Sequence, residues 1–233
     1  MWALLPVKRF ATGKSRLSAV LTPQQRHELT CHMLSDVLSA LRQAACIDTI
    51  VILSDEPGIA PILWATAAGR GGERLSHVER RRERYQGDVN RSLTAAIAEM
   101  PASADRILII PADVPAVAPA DIEALSCAHE RLARRGTPSV VLVPAVADRG
   151  TNAVLTSRPL AIELQFGARH SLARHLESAR RTGAAAQVLA RPGLTRDIDR
   201  PDDLDWFAGG AFTGDTAAYL RRMQVQRMEC AAS

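Results

Sequence analysis

Three short apolar runs, rich in β-branched residues, constrain the fold of this chain more than any other feature. Each has the length of a strand and is apolar on both faces: TIVILSD at 49–55, RILIIPAD at 106–113 and SVVLVPA at 139–145. Stretches with helical character lie between them, at 90–100 and 121–134. Strands that are buried on both faces and separated by helices are typical of a mostly parallel sheet with helices on both sides. The sequence therefore predicts an α/β fold.

The segment before the first of these runs carries a complete helix-start signal. Thr22 is expected to cap the helix, Pro23 occupies its first position and Gln25 completes a capping box. Apolar residues then recur at helical spacing and form one face of a helix that reaches about Ala45. They are Leu29, Met33, Leu34, Val37, Leu38 and Leu41. Because ligand sites in such sheets form at the carboxyl ends of strands, the residues after each strand are candidates for a site.

Composition narrows the class of protein. The chain has 233 residues, of which 47% are hydrophobic, so we expect one domain with a full core. It has no apolar run of about eighteen residues, and its first apolar stretch ends at Lys8 and Arg9. We therefore expect a cytoplasmic protein without a signal segment or membrane span. The four cysteines are far apart and form no C-x-x-C pair, which indicates neither a zinc site nor a disulfide framework.

The stretch PVKRFATGKSRL at 6–17 contains Gly-Lys-Ser, the end of a Walker A phosphate loop. A Walker A loop needs a second glycine five residues before its last one, where the backbone must approach the phosphates closely. Lys8 occupies that position, so the Walker interpretation fails. The loop still suits a polyphosphate through its N–H donors and cations, and it is equally compatible with a solvated basic turn. Its candidate residues are Lys8, Arg9, Gly13, Lys14 and Arg16.

Two carboxylate clusters suggest a metal. Asp113 follows an apolar strand and is flanked by prolines, which fix the local backbone. Asp197 and Asp199 lie two positions apart, so in extended backbone both point to one side. Either cluster is also compatible with a helix cap, a turn or a solvated edge. Oxygen ligands of this kind favour Mg²⁺ over zinc, and with the basic loop they indicate phosphoryl or nucleotidyl transfer.

With these motifs the chain resembles the guanylyltransferases of coenzyme F-420 (deazaflavin) biosynthesis, which activate a phosphorylated three-carbon acid with GTP. The matching segments, in family order, are PVKRFATGKSRLSAVLTPQQRHEL, LSDEP, GDVNRSLTAAI, PADVPAV, RGTNAVL, FGARHSLARHLESARRTG and TRDIDRPDDL. The resemblance implies a three-layer, Rossmann-like nucleotidyltransferase fold related to GT-A glycosyltransferases. It implies a nucleotidyltransferase domain at 1–207. It leaves 208–233 as a C-terminal extension that we expect to be partly helical, at 215–228.

The resemblance also implies roles for individual residues. The implied Mg²⁺ ligands are Asp113 and Asp197, with Asp199 as a further ligand, and the implied catalytic groups are Asp113, Asp197 and Lys14. The implied contacts of GTP are Lys8, Gly13, Lys14 and Arg16 for the phosphates, and Asp88 and Asn90 for the nucleoside. The implied contacts of the acid are Gly150, Thr151, Asn152, Gly167 and Ser171.

Three segments depart from the family pattern, and one of them is the extension at 208–233, which lies beyond the family core. FGARHSLARH carries one residue more than expected between Gly167 and Ser171, which puts Arg169 and His170 beside the acid unless the extra residue bulges outward. An additional donor there favours 3-phospho-D-glycerate over phosphoenolpyruvate, because a site built to bind a hydroxyl discriminates against an acid without one. The strongly charged segment 73–85 is expected to be a solvated helix or loop.

The predicted reaction joins GTP to phosphoenolpyruvate, 2-phospho-L-lactate or 3-phospho-D-glycerate and releases pyrophosphate, in coenzyme F-420 biosynthesis. A downstream transferase would consume the unstable guanosine diphospho-acid. The enzyme would act alone or as a homodimer, without a nucleic-acid or membrane partner. Two alternatives stay open: a related nucleotidyltransferase that acts on a molybdopterin or sugar phosphate, and a non-catalytic RNA-binding protein that uses the basic run at 74–84.

Overall fold

A seven-stranded sheet forms the centre of the computed structural model, which describes residues 1–10, 13–68 and 77–231, without the side chains of 64–68 and 226–231. The strands are β1 (Trp2–Pro6), β2 (Thr49–Leu53), β3 (His77–Arg81), β4 (Arg106–Ile109), β5 (Ser139–Pro144), β6 (Thr151–Ser157) and β7 (Ala185–Val188). Their order across the sheet is β3-β2-β1-β4-β6-β5-β7. β6 runs antiparallel to both of its neighbours, and the other neighbouring pairs are parallel. The predicted mostly parallel sheet is confirmed.

Seven helices are described around the sheet. They are α1 (Pro23–Gln43), α2 (Ile59–Ala68), α3 (Val89–Ala98), α4 (Pro119–Ala133), α5 (Ser171–Thr182), α6 (Pro201–Gly209) and α7 (Asp215–Ala231), with a short 3-10 turn at Ser15–Leu17. The predicted capping box of α1 is present, because Gln25 N–H donates to Thr22 Oγ1 and Thr22 N–H donates to Gln25 Oε1. Within the described ranges, no helix is both long and apolar enough to cross a membrane.

The two faces of the sheet form separate hydrophobic cores. Along β1, Ala3 and Leu5 point to the face that α1 and α4 cover, whereas Leu4 points to the face that α3 and α5 cover. This arrangement of helix, sheet and helix is the predicted three-layer architecture. A third cluster joins α1, α6 and α7, and contains the fully buried Phe207 and Ile198.

Two features of the sheet differ from expectation or were missed. Residues 77–81 form the edge strand β3, paired in parallel with β2, where we expected a solvated helix or loop. Partly buried Val78 packs against the first core, while the charged residues suit the edge of a sheet. The remainder of that charged segment before residue 77 lies outside the described residues. The sequence pattern also gave no sign that β6 would be antiparallel.

The C-terminal segment packs on the rest of the fold. α7 contacts α1 and α6, and the carboxylate of Asp36 in α1 accepts the backbone N–H groups of Asp215 and Thr216 at 2.8 and 2.9 Å. Asp36 thus binds the free N–H groups at the start of α7. The division of the chain into 1–207 and 208–233 stays a prediction.

Candidate active site

A cleft with a volume of about 440 Å³ opens at the carboxyl ends of β1 and β4. Parallel α/β sheets form ligand sites at this edge. Because β6 runs in the opposite direction, its first residues, Thr151 and Asn152, lie at the same edge. The predicted site residues that line the cleft are Lys8, Gly13, Lys14, Arg16, Asp113, Thr151, Asn152, Gly167, Asp197 and Asp199.

A backbone hydrogen bond brings the two carboxylate segments together. The N–H of Ile198 donates to the carbonyl oxygen of Asp113 at 2.9 Å. The side chain of Ile198 is buried in the third cluster, and its neighbours Asp197 and Asp199 both line the cleft. Burial, followed by the negative charge of Asp113, raises the pKa of Asp197 to about 6. The site therefore holds a carboxylate whose negative charge is destabilised unless a cation binds.

Lys14 connects the basic loop to the carboxylates. Its backbone is left-handed, with φ of 55°, and its ammonium group lies 2.7 Å from Asp113 Oδ2 and 3.7 Å from Asp199 Oδ1. Burial disfavours the charged form of Lys14, but the charges of Asp113, Asp199 and Asp197 outweigh it and raise the pKa. Arg16 Nη1 approaches Asp199 Oδ2 at 2.5 Å and remains largely exposed. The cleft is thus lined by one largely buried and one exposed cation, both suited to an anionic ligand.

Glu56 anchors the loop that carries the cations, and sequence reasoning missed it. Its Oε2 accepts the backbone N–H of Phe10 at 2.9 Å, and its Oε1 accepts the N–H of Gly58 at the same distance. Glu56 is buried, and it belongs to the LSDEP segment that had no assigned role. A signal was present, because a carboxylate three residues after the end of a buried strand is well placed to bind free N–H groups of a neighbouring loop.

The opposite wall of the cleft comes from β6 and the segment before α5. Asn152 is buried, and its Nδ2 donates to the carbonyl of Leu194 at 2.9 Å, which ties β6 to the segment that leads to Asp197. Gly167 has a φ of 73°, a conformation that favours glycine. The small residues of this wall leave space in the cleft, so that N–H and O–H donors can converge on an anionic ligand. They include Thr151, Asn152 and Gly167.

Other predicted contacts of the acid lie outside this lining. Gly150 N–H donates to Asp148 Oδ1 at 2.8 Å in the turn before β6, and Ser171 is buried with its Oγ 3.3 Å from Thr151 Oγ1. His170 lies at the start of α5 with a left-handed backbone and an exposed side chain. Arg169 is also exposed, and it too lies outside the cleft lining.

The two predicted nucleoside contacts are likewise outside the lining. Asp88 caps α3 by accepting the N–H of Arg91 at 3.0 Å. Asn90 Nδ2 donates to the carbonyl of Phe166 at 3.0 Å, and Phe166 N–H donates to Asn90 Oδ1 at 2.8 Å. Asn90 therefore fixes a wall of the cleft by a pair of backbone hydrogen bonds. In this region Val89 lines the cleft.

Sequence reasoning also left several residues of the cleft wall and one buried histidine without a role. Glu83, Asp148 and Phe166 line the cleft, and His175 lies behind Thr151. The spacing of His175 from Ser171 was an available signal, since residues four apart share one face of a helix. That face of α5 is buried, and includes Ser171, His175, Ser178 and Ala179.

Some arginines of the basic run at 74–84, which the RNA-binding alternative would use, form ion pairs with glutamates. Arg81 Nη2 lies 2.9 Å from Glu79 Oε2, and Arg84 Nη1 lies 2.9 Å from Glu99 Oε1. Arg74, the first residue of this run, lies outside the described residues. Arginines that are paired with glutamates in this way are typical of a solvated surface, and they do not favour a nucleic-acid groove.

The carboxylate oxygens of the cleft suit a hard divalent cation whose coordination shell is completed by oxygen atoms of a substrate. Across residues 1–10, 13–68 and 77–231, no group of three or more His, Cys, Asp or Glu side chains is arranged to hold a metal alone. Mg²⁺ commonly takes only one or two protein carboxylates and obtains its other ligands from phosphates and water. Asp113 and Asp197 provide such a pair at the cleft.

Similarity to known proteins agrees with this geometry. A phosphoenolpyruvate guanylyltransferase of Sphaerobacter thermophilus is 38% identical over 215 residues, covering 91% of this chain and 94% of that protein. A 2-phospho-L-lactate guanylyltransferase of Methanothermobacter thermautotrophicus is 32% identical over 222 residues, covering 95% and 90%.

Solved structures support the fold. A structure from Desulfovibrio desulfuricans, assigned as a nucleotide-diphospho-sugar transferase, superposes with a TM-score of 0.70 at 16% identity, covering 96% of this chain and 95% of the other. Solved nucleotidyltransferases share the architecture, which confirms the predicted fold class. The model of the family described as "Guanylyl transferase CofC like" matches residues 1–231. The chain therefore belongs to the CofC-like guanylyl transferase family.

Proposed function

We propose that this protein transfers the guanylyl group of GTP to a phosphorylated three-carbon acid and releases pyrophosphate, in coenzyme F-420 biosynthesis. The observation that carries the proposal is one cleft with two kinds of wall. One wall carries a charged cluster of Asp113, Asp197 and Lys14. The other wall carries the small residues Thr151 and Gly167, whose N–H and O–H groups can donate hydrogen bonds. Such a cleft accommodates a nucleoside triphosphate and an anionic acceptor side by side.

The reaction needs no covalent enzyme intermediate. A phosphate oxygen of the acid attacks the α-phosphorus of GTP, and the bond from that phosphorus to the bridging oxygen of pyrophosphate breaks. Because the acceptor phosphate is already ionised near neutral pH, alignment and charge neutralisation provide the catalysis without a strong general base. Lys14, Arg16 and Lys8 neutralise the growing charge on the leaving pyrophosphate.

Mg²⁺ is the metal we propose, with Asp113 and Asp197 as its ligands and Asp199 as a further ligand or hydrogen-bonding neighbour. When bound, it would supply charge neutralisation at the phosphates. The raised pKa of Asp197 supports this assignment, because a divalent cation would favour the ionised carboxylate. Turnover is expected to cease in chelator and to return when Mg²⁺ is restored.

Phosphoenolpyruvate is the acid that we propose. The relative from Sphaerobacter thermophilus carries that name at 38% identity, and the 2-phospho-L-lactate relative stands at 32%. The expectation of 3-phospho-D-glycerate assumed that Arg169 and His170 lie beside the acid, and both side chains are exposed outside the cleft lining. An outward bulge would leave the acid pocket like that of the relatives.

Initial rates of pyrophosphate release with each acid test the proposal. Purified protein, GTP and Mg²⁺ are mixed with phosphoenolpyruvate, 2-phospho-L-lactate or 3-phospho-D-glycerate, with the downstream transferase added to remove the unstable product. The highest rate is expected with phosphoenolpyruvate. A preference for 3-phospho-D-glycerate would restore the expectation from the sequence, and no rate with any acid would refute the function.

The remaining parts of the proposal concern the cell. The product is a reactive diphosphate diester, so we expect a downstream transferase that consumes it in the cytoplasm. A homodimer is also part of the proposal, and light scattering coupled to size-exclusion chromatography measures it directly. A single peak at the mass of one 25.2 kDa chain would exclude the homodimer.

A further inference from the structure

The wall of the cleft that contains Thr151 and Gly167, proposed to bind the acid substrate, is called the acid wall below. His175 lies behind Thr151 in this wall and is completely buried. Both of its ring nitrogens have partners. The backbone N–H of Gln165 lies 2.8 Å from Nε2, and Thr151 Oγ1 lies 2.9 Å from Nδ1. A backbone N–H can only donate, so Nε2 must carry a lone pair and the proton of the neutral ring must be on Nδ1. The surroundings therefore select one tautomer.

This tautomer determines what the hydroxyl group of Thr151 can do. Nδ1–H of His175 donates to Thr151 Oγ1, and the buried Ser171 Oγ donates to the same oxygen at 3.3 Å. A hydroxyl oxygen has two acceptor sites and one proton. With both acceptor sites used inside the protein, Thr151 keeps its proton for a third partner. Thr151 lines the cleft, so an anionic oxygen bound there is a suitable acceptor.

The environment keeps the ring neutral. Burial alone lowers the pKa of His175 to about 4, and the ring of Phe166 packs against it with centroids 5.3 Å apart. At neutral pH the ring therefore remains uncharged, and its acceptor nitrogen also holds Gln165, next to the cleft residues Phe166 and Gly167. One side chain thus connects both parts of the acid wall.

We propose that His175 is a positioning residue that makes the Thr151 hydroxyl a hydrogen-bond donor to an anionic oxygen of the acid substrate. This inference rests on the proposed function, because it assigns the acid to the Thr151 side of the cleft. The donor would recognise a phosphate or carboxylate oxygen. It would act on binding of the acid and leave GTP binding unchanged.

Two substitutions separate the contacts of the ring. His175→Gln keeps an acceptor near the position of Nε2 and loses the donor to Thr151, whereas His175→Asn keeps a donor near Nδ1. We expect His175→Gln to raise the KM for phosphoenolpyruvate about tenfold, with little change in the KM for GTP. His175→Asn is expected to recover most of the acid affinity. Equal rises in both KM values would overturn the proposal.

Thr151→Val supplies the coupling test. If His175 acts through the hydroxyl, the double variant His175→Gln/Thr151→Val should have the same KM for the acid as Thr151→Val alone. Losses that multiply would overturn the proposal. His129→Gln is the matched control, since His129 is another buried histidine, in α4, with its Nε2 near Ser139. It is expected to leave the KM for the acid unchanged.

A spectroscopic measurement tests the tautomer without turnover. In the ¹⁵N-labelled wild-type protein, the expected spectrum has a protonated Nδ1 and an unprotonated Nε2 for His175 at neutral pH. A protonated Nε2 would overturn the proposal. If no acid supports GTP turnover, the proposed function fails, while this spectrum still decides where the proton of His175 lies.

Discussion

At the scale of single residues, the site brings together like charges that are costly without a ligand. Asp113 and Asp197 are close enough for the charge of Asp113 to raise the pKa of Asp197, and Lys14 compensates only part of this repulsion. Sites that bind metal and phosphate commonly hold such charges in readiness. Activity and stability should therefore respond in opposite directions when one carboxylate is neutralised.

We predict that Asp113→Asn and Asp197→Asn each reduce turnover by at least a hundredfold while the fold is kept. Each change removes a charge from the proposed Mg²⁺ site and barely alters the volume of the side chain. Turnover across a range of Mg²⁺ concentrations measures the effect, with Asp202→Asn on α6 as a surface control. Wild-type rates at limiting Mg²⁺ would remove the altered residue from the ligand set.

Stability of the metal-free protein should respond to pH through Asp197. The pKa of Asp197 is about 6 in the folded state, above its value of about 3.9 in the unfolded state. Between pH 4 and pH 6 the folded state therefore binds more protons than the unfolded state, and the protein loses stability as the pH rises through this range. Asp197→Asn lacks this loss. We expect it to be more stable than wild type by about 1–3 kcal/mol above pH 6. Urea unfolding in chelator at pH 4 and pH 7 measures the difference, which should be small at the lower pH.

Lys14→Ala and Arg16→Ala are predicted to impair use of GTP more than use of the acid. Both cations line the carboxylate side of the cleft, where the leaving pyrophosphate is proposed to lie. Steady-state kinetics with each substrate varied in turn measures the effect, and we expect the KM for GTP to rise about tenfold or more. An increase confined to the KM for the acid would contradict the assignment.

At the scale of elements, the sequence predicted the framework better than the walls of the site. The buried runs at β2, β4 and β5 and the capped helix α1 were recognisable because their signals are local. The direction of β6 was not, since it depends on pairing with β4 and β5. The edge strand β3 was hidden by its charged residues. Both features depend on pairing between strands that are distant in the sequence, and the periodicity of residues within one segment does not report that pairing.

The contacts of Asn90 also depend on residues that are distant in the sequence. Its place in the sequence suggested a contact of the nucleoside, but its amide group forms two hydrogen bonds with the backbone of Phe166, 76 residues away. We predict that Asn90→Ala raises the KM for the acid severalfold with a smaller effect on GTP, because the Phe166–Gly167 wall loses its anchor. Kinetics with both substrates, beside the helix-cap control Asp88→Ala, measure this. A selective rise in the KM for GTP would favour the nucleoside role.

At the scale of the whole molecule, the antiparallel strand explains how one edge of the sheet brings together both groups of proposed site residues. Parallel strands bring Lys14 and Asp113 to their carboxyl ends, and β6 brings Thr151 to the same edge by its amino end. The backbone bond between Asp113 and Ile198 adds the second carboxylate segment. The resemblance to a family identified most of these residues, whereas their convergence depends on the assembled fold.

Phosphorus NMR of the complete reaction measures guanylyl transfer and both of its products in one experiment. Wild-type protein with GTP, Mg²⁺ and phosphoenolpyruvate is predicted to yield equal amounts of pyrophosphate and a new diphosphate diester, and Asp113→Asn should yield neither. Omission of the acid should leave GTP intact. Guanylyl transfer would be refuted if GTP stayed intact with every one of the three acids, or if GTP were hydrolysed without a product that joins the guanylyl group to the acid.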